Sequence, residues 1–88
     1  MDINKILKNR IYRAIIEFFN ENQSSIDTAR GVATWIKEER PAVKKALEEL
    51  AEYGILVSHR AASTTGYSYT RNGKLAREIG AKLKKLKR

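Results

Sequence analysis

The stretch from Val32 to Val57, VATWIKEERPAVKKALEELAEYGILV, constrains the fold of this chain more than any other. Its centre has the start and stop signals of a helix over about residues 40–53. Pro41 suits a first turn, where its missing N–H would have no partner anyway. Val43, Ala46, Leu47 and Leu50 recur at helical spacing and form one apolar stripe. Gly54 is a natural left-handed cap, and Ile55-Leu56-Val57 reads as the start of a buried strand. Upstream, Val32, Ala33 and Ile36 make a shorter stripe, which leaves Lys37-Glu38 for a tight turn. The pattern is a helix, a turn, and a second helix that runs straight into a strand.

The flanks fit this centre. Ile3, Ile6, Leu7, Ile11, Ala14, Ile15, Phe18 and Phe19 keep a helical rhythm and predict one helix over residues 3–19. Tyr12 and Ile16 widen its apolar face beyond what one neighbour needs. Residues 20–25 have loop composition, and Ser25-Ile26 is a candidate short strand. Asp27 or Thr28 caps a helix from Thr28 to Ile36, with Gly31 as a marker of close contact to another helix. Trp35 lies beside the apolar stripe, and a half-buried indole packed over the helix edge is expected. Residues 55–61 predict a strand, 62–66 a turn, and Tyr67-Ser68-Tyr69-Thr70 a returning strand. Thr70 or Asn72 caps a last helix from Gly73 to about Lys87, with Leu75, Ile79, Leu83 and Leu86 on one side. Gly80 is expected to weaken its far end.

Two runs carry a resemblance. Val32-Ala33, Arg40-Pro41-Ala42-Val43, Leu47, Leu50 and Gly54-Ile55-Leu56 look like the core motif of winged helix-turn-helix transcription regulators. Tyr67-x-Tyr69-Thr70-x-x-Gly73-x-x-Ala76 is similar to the wing end of the MarR- and PadR-like members. The resemblance implies a single α+β winged helix-turn-helix domain over residues 1–88. It would have a three-helix core, a two-stranded β wing at about 55–70 and an added C-terminal helix at about 73–87. It also implies a sequence-specific, double-stranded DNA-binding transcription regulator whose second motif helix enters the major groove.

On that mechanism the exposed positions near the start of the helix are Arg40, Pro41, Ala42, Lys44 and Lys45. Arg40 is the best base reader, since a guanidinium bonds guanine O6 and N7 together. Lys44 and Lys45 suit phosphates or base edges, and Ala42 a thymine methyl. In the wing, His59, Arg60, Thr64 and Thr65 are candidates for the backbone or minor groove, and Arg30 for a phosphate. A homodimer through the first and last helices is expected from the wide apolar face of the one and the extra length of the other.

Composition supports an acidic partner, because the net charge is +8 over 88 residues. The charge is uneven. Residues 74–88 hold seven basic groups against Glu78, a net of +6, which leaves +2 for the other 73 residues. The basic tail is expected to supply non-specific attraction only, so that cutting near Lys82 costs little specificity. Residues 37–53 hold four basic groups and five acids, and Glu38 and Glu39 in the turn repel phosphate unless they pair with Lys37 or Arg40. That acidity keeps a rival open: a protein-interaction module in a larger nucleic-acid complex, docking through Trp35 and the acidic helix face. There is no cysteine, and the single His59 builds neither a metal cluster nor a triad. No catalytic constellation, cofactor or metal site is expected. No apolar run is long enough to span a membrane and no signal-peptide pattern is present, so a cytoplasmic protein is expected.

Overall fold

The computed structural model describes residues 1–87. Five helices and three strands follow in the order α1 (Ile3–Leu7), α2 (Arg10–Glu21), β1 (Ile26–Thr28), α3 (Ala29–Ile36), α4 (Arg40–Glu52), β2 (Leu56–Arg60), β3 (Thr65–Tyr69) and α5 (Gly73–Leu86). This is the expected α+β architecture with its added last helix.

The first predicted helix is in fact two. The Asn9 side chain accepts from the N–H groups of Ile11 and Tyr12 at 3.0 and 3.1 Å, so it caps α2 and ends α1. The apolar rhythm survives the break because both pieces turn their stripes inward: Ile3, Ile6, Leu7, Ile15, Ile16 and Phe19 are all buried. The excess width of that face is used within the chain, since α1 packs on α2 and α5.

The helix-turn-helix is closed by two left-handed residues. At the end of α3, Lys37 has φ +59°, and the Glu38 N–H returns to the Ala33 carbonyl at 3.1 Å. At the end of α4, Gly54 has φ +82°, and the Ile55 N–H returns to the Leu50 carbonyl at 3.0 Å. Both are the six-to-one bonds of a Schellman ending. Glycine takes the second position without strain, whereas lysine at the first costs of order 1 kcal/mol. The stripe of α4 is as expected: Val43, Ala46, Leu47 and Leu50 are buried and join the one core cluster that also contains Ile55, Leu56, Tyr67, Tyr69, Ile79 and Leu83.

The sheet has three antiparallel strands in the order β1-β3-β2, one more than the two-stranded wing. Arg60 opposes Thr65, and Ile26 opposes Ser68. The first strand begins at Ile26 rather than Ser25, and Thr28 ends it by capping α3 through a bond from the Gly31 N–H. Gly31 does not mark a helix contact. A Cβ there would lie 3.0 Å from the Asp27 carboxylate, so the close approach is to its own strand. The last helix runs through Gly80 without interruption and is capped by Asn72. Ile79 and Leu83 bury its inner face, while Leu86 is left largely exposed. A cut near Lys82 would therefore remove a core residue, not only a charged tail. Arg88, one of the seven basic groups of residues 74–88, lies outside the described residues.

Candidate nucleic-acid interface

Arg40, Lys44 and Glu48 fall four residues apart and form one stripe along α4, beside the buried one. The stripe faces a groove whose opposite wall is the wing, from Arg60 through the turn to Thr65, and whose third wall is Thr28, Ala29 and Arg30 at the start of α3. Tyr67, buried on β3, also lines the groove. Its phenol is pushed above the usual tyrosine value by burial first and by the Glu48 carboxylate second. Arg30, Arg40, Lys44 and Arg60 are all exposed. Among the described residues, no ion pair engages any of these four cations. Four guanidinium and ammonium groups, drawn from three elements and held around one concavity, form a local positive potential, and among the described residues lining it Glu48 is the one acid.

Six of the ten residues singled out in the sequence therefore meet here: Arg30, Arg40, Lys44, Arg60, Thr64 and Thr65. Pro41, Ala42 and Lys45 are exposed on α4 but do not line the groove. His59 is held elsewhere. Neighbouring strand residues point to opposite faces, so Arg60 takes the groove side and His59 the other, where Nε2 lies 2.8 Å from the Ser68 Oγ.

Two of the five acids that weighed against an anionic ligand are engaged elsewhere, while Glu48 lines the groove and Glu48 and Glu52 line a second concavity with Arg60 and Thr65. Glu38 is paired with Arg10 of α2, not with Lys37 or Arg40. Glu49 accepts from the Tyr12 hydroxyl at 2.6 Å, and this bond, ahead of burial, raises the Tyr12 phenol well above its ordinary value. Tyr53 meets Tyr12 edge-on at 6.4 Å, which braces the same side of α4. Sequence reasoning missed Glu48 as a groove residue, although its four-residue spacing from Arg40 and Lys44 was the signal. It also missed the partners of Glu38 and Glu49, which lie 28 and 37 residues away and carry no local signal.

Trp35 differs from expectation. It is 71% exposed rather than half-buried, and only one side of the indole meets Phe18, at 6.2 Å between centroids. The last turn of α3 carries it past the edge of the core.

No protein-family model matches the chain, and no curated protein matches it in sequence. Solved structures do. The antimony-specific transcriptional repressor AntR superposes with a TM-score of 0.78 at 18% identity, over 97% of this chain and 74% of that one. The type III plasmid segregation protein TubR gives 0.74 at 18%, over 93% and 87%. A homodimeric winged helix-turn-helix DNA-binding domain from Mycobacterium bovis, described as a possible ArsR-family regulator, gives 0.71 at 16%, over 90% and 69%. At such identities the likeness is one of fold: this chain is a winged helix-turn-helix. The MarR- and PadR-like resemblance is narrower than anything these structures describe.

Proposed function

We propose that the chain is a sequence-specific, double-stranded DNA-binding transcription regulator, non-catalytic and cytoplasmic, with α4 in the major groove and the wing against the backbone. The observation that carries this reading is the groove in which Arg30, Arg40, Lys44 and Arg60 converge, with no carboxylate ion-paired to them among the described residues. An unpaired cation cluster of this kind is the electrostatic footprint of a phosphate backbone. Arg40 stands at the N-terminal end of α4, where base edges are met first. Pro41, Ala42 and Lys45 extend the contact along the same end, and His59 supports the wing through Ser68. AntR and the Mycobacterium bovis domain, described respectively as a repressor and a DNA-binding domain, support the class. Within it, whole-chain shape favours an ArsR-like type over a MarR- or PadR-like one, because the likeness to AntR and to the Mycobacterium bovis domain spans 97% and 90% of the chain rather than one motif. The antimony of AntR's description stays with that protein.

A homodimer through α1 and α5 belongs to the same reading. The two helices pack on each other, and Leu7 and the exposed Leu86 line one shallow groove at their shared end. The described homodimer from Mycobacterium bovis supports it. Two copies would present two α4 helices to half-sites about 34 Å apart or a multiple of that. The protein-module rival has less support at the turn and on α4, since Glu38 in the turn is engaged by Arg10 and Glu49 on α4 by Tyr12.

The test is selection of bound duplexes from a random pool, followed by titration of the enriched site at two salt concentrations. An enriched, two-fold symmetric site is expected, with affinity falling steeply as salt rises. A pool that stays random after several rounds overturns the reading. Light scattering at micromolar concentration checks the dimer.

A further inference from the structure

Beyond the groove, the most anomalous surface lies at the far end of α3. Trp35 is the only tryptophan in the chain and is 71% exposed. It leans on half-buried Phe18 with their planes tilted by 34°, so one indole face is open. The concavity beside it is lined by Glu17, Glu21 and Asp27, and among the described residues no lysine or arginine lines it. Glu17 pairs with Arg13 and Lys87 and Glu21 with Lys87, whereas Asp27 has no ion pair among the described residues.

We propose that Trp35 and Phe18, ringed by Glu17, Glu21 and Asp27, form a docking site for a segment of a partner protein that carries a lysine or arginine beside an apolar side chain. Three observations select that occupant. The carboxylates repel phosphate, so the face is not an extension of the DNA interface. A lysine ε-ammonium already fits these carboxylates within the chain, since the exposed Lys87 Nζ lies 3.5 Å from Glu21 and 3.8 Å from Glu17, and a partner's cation would take its place. Trp35 is in the last turn of α3, where the helix dipole is negative and favours a cation. An open indole attracts a cation over its face, and a tryptophan that becomes buried is the residue type that most often anchors an interface. The apolar side chain of the partner would take the space between the indole and Phe18. A partner seated there would touch α3, the helix that leads by one turn into α4.

The single tryptophan makes the site its own reporter. A synthetic amphipathic helical peptide of lysine and leucine is titrated into the full chain while indole emission is followed, with a glutamate and leucine peptide as the charge control. A saturable blue shift with the lysine peptide and none with the control is expected. The protein's overall positive charge opposes general attraction of a cationic peptide, so saturation reports a local site. Glu21→Lys, at a largely exposed side chain, is expected to weaken binding about tenfold or more. Asp27→Asn is expected to weaken it less. Three results overturn the proposal: equal response to both peptides, no response to either, or an emission shift that follows the protein's own concentration without peptide. The last would make the occupant a second copy of the chain. A shift produced by duplex DNA alone also overturns it, since the carboxylate ring would then not exclude phosphate.

Discussion

The molecule has two basic regions, and they are built in opposite ways. The last helix is dense in sequence, with Lys74, Arg77, Lys82, Lys84, Lys85 and Lys87 inside fourteen positions. The groove beside the wing draws Arg30, Arg40, Lys44 and Arg60 from a span of thirty-one residues. None of the charges of α5 lines the groove, and Lys87 is engaged by Glu17 and Glu21. Its inner face, Ile79 and Leu83, is core. The dense region is thus a packing helix with a solvated, charged outside, and the sparse one is the concave site. Linear charge density locates a polyelectrolyte; topology locates a binding site.

The largest expected effect comes from treating α5 as what it is. Leu83→Ala removes a side chain that is only 3% exposed, and a loss of about 2–5 kcal/mol in unfolding free energy is expected from urea denaturation. If the loss is below about 0.5 kcal/mol, α5 is an appendage and the contrast collapses. The groove gives the next effect. Arg40→Ala is expected to cost about 1–3 kcal/mol on the selected DNA site and to relax its preference at one base pair, measured by competition titration. Its unfolding free energy should stay within about 0.5 kcal/mol of the parent, because the side chain is exposed and unpaired.

Smaller still, and aimed directly at the comparison, are neutral substitutions of equal charge. Lys44→Ala and Arg60→Ala are each expected to lower the slope of log affinity against log salt by about one unit. Lys84→Gln with Lys85→Gln, the same loss of two charges from the dense region, should leave the selected sequence unchanged and move the slope less. Were the α5 pair to matter more, the binding surface would lie on the tail and the groove would be incidental.

Much of this was legible in the chain because it rests on local rules. The stripe of α4, the Gly54 cap, the caps at Thr28 and Asn72 and the wing strands each depend on neighbours within a few residues. The break at Asn9 was also local, but two apolar stripes in phase hid it. What stayed illegible was long-range. Glu38 finds Arg10, and Glu49 finds Tyr12, only when α2 packs against α4. Expecting Glu38 to repel phosphate unless it pairs with Lys37 or Arg40 followed from not knowing those partners. For the site, the five positions on α4 could be placed by periodicity, but only the fold shows that Arg40 and Lys44 join the wing while Pro41, Ala42 and Lys45 lie outside the groove. Trp35 departs from expectation because an aromatic at a stripe edge usually packs, and here the last turn of α3 leaves it 71% exposed with Phe18 as its aromatic neighbour.

The smallest effect concerns β3, the returning strand of the wing, which leads into α5. Tyr69 is 2% exposed, and among the described residues its hydroxyl has no hydrogen-bond partner. A buried hydroxyl without a partner forfeits its hydration and gains nothing in return. Tyr69→Phe keeps the ring and deletes the orphan, so a gain of about 1 kcal/mol in unfolding free energy is expected, with no change in the selected DNA site. Burial also pushes the Tyr69 phenol up to about 12 from 10.0. The unfolded chain therefore releases this proton first, and the stability that depends on keeping it is full below pH 10 and falls as pH rises through 12. Tyr12, raised by its bond to Glu49, falls in the same direction. Urea midpoints compared at pH 8, 10 and 11 should show the parent losing stability toward pH 11 and Tyr69→Phe losing less. If the variant is less stable than the parent at pH 8, the hydroxyl has a partner in solution. The returning strand of the wing would then be held by a polar contact as well as by packing.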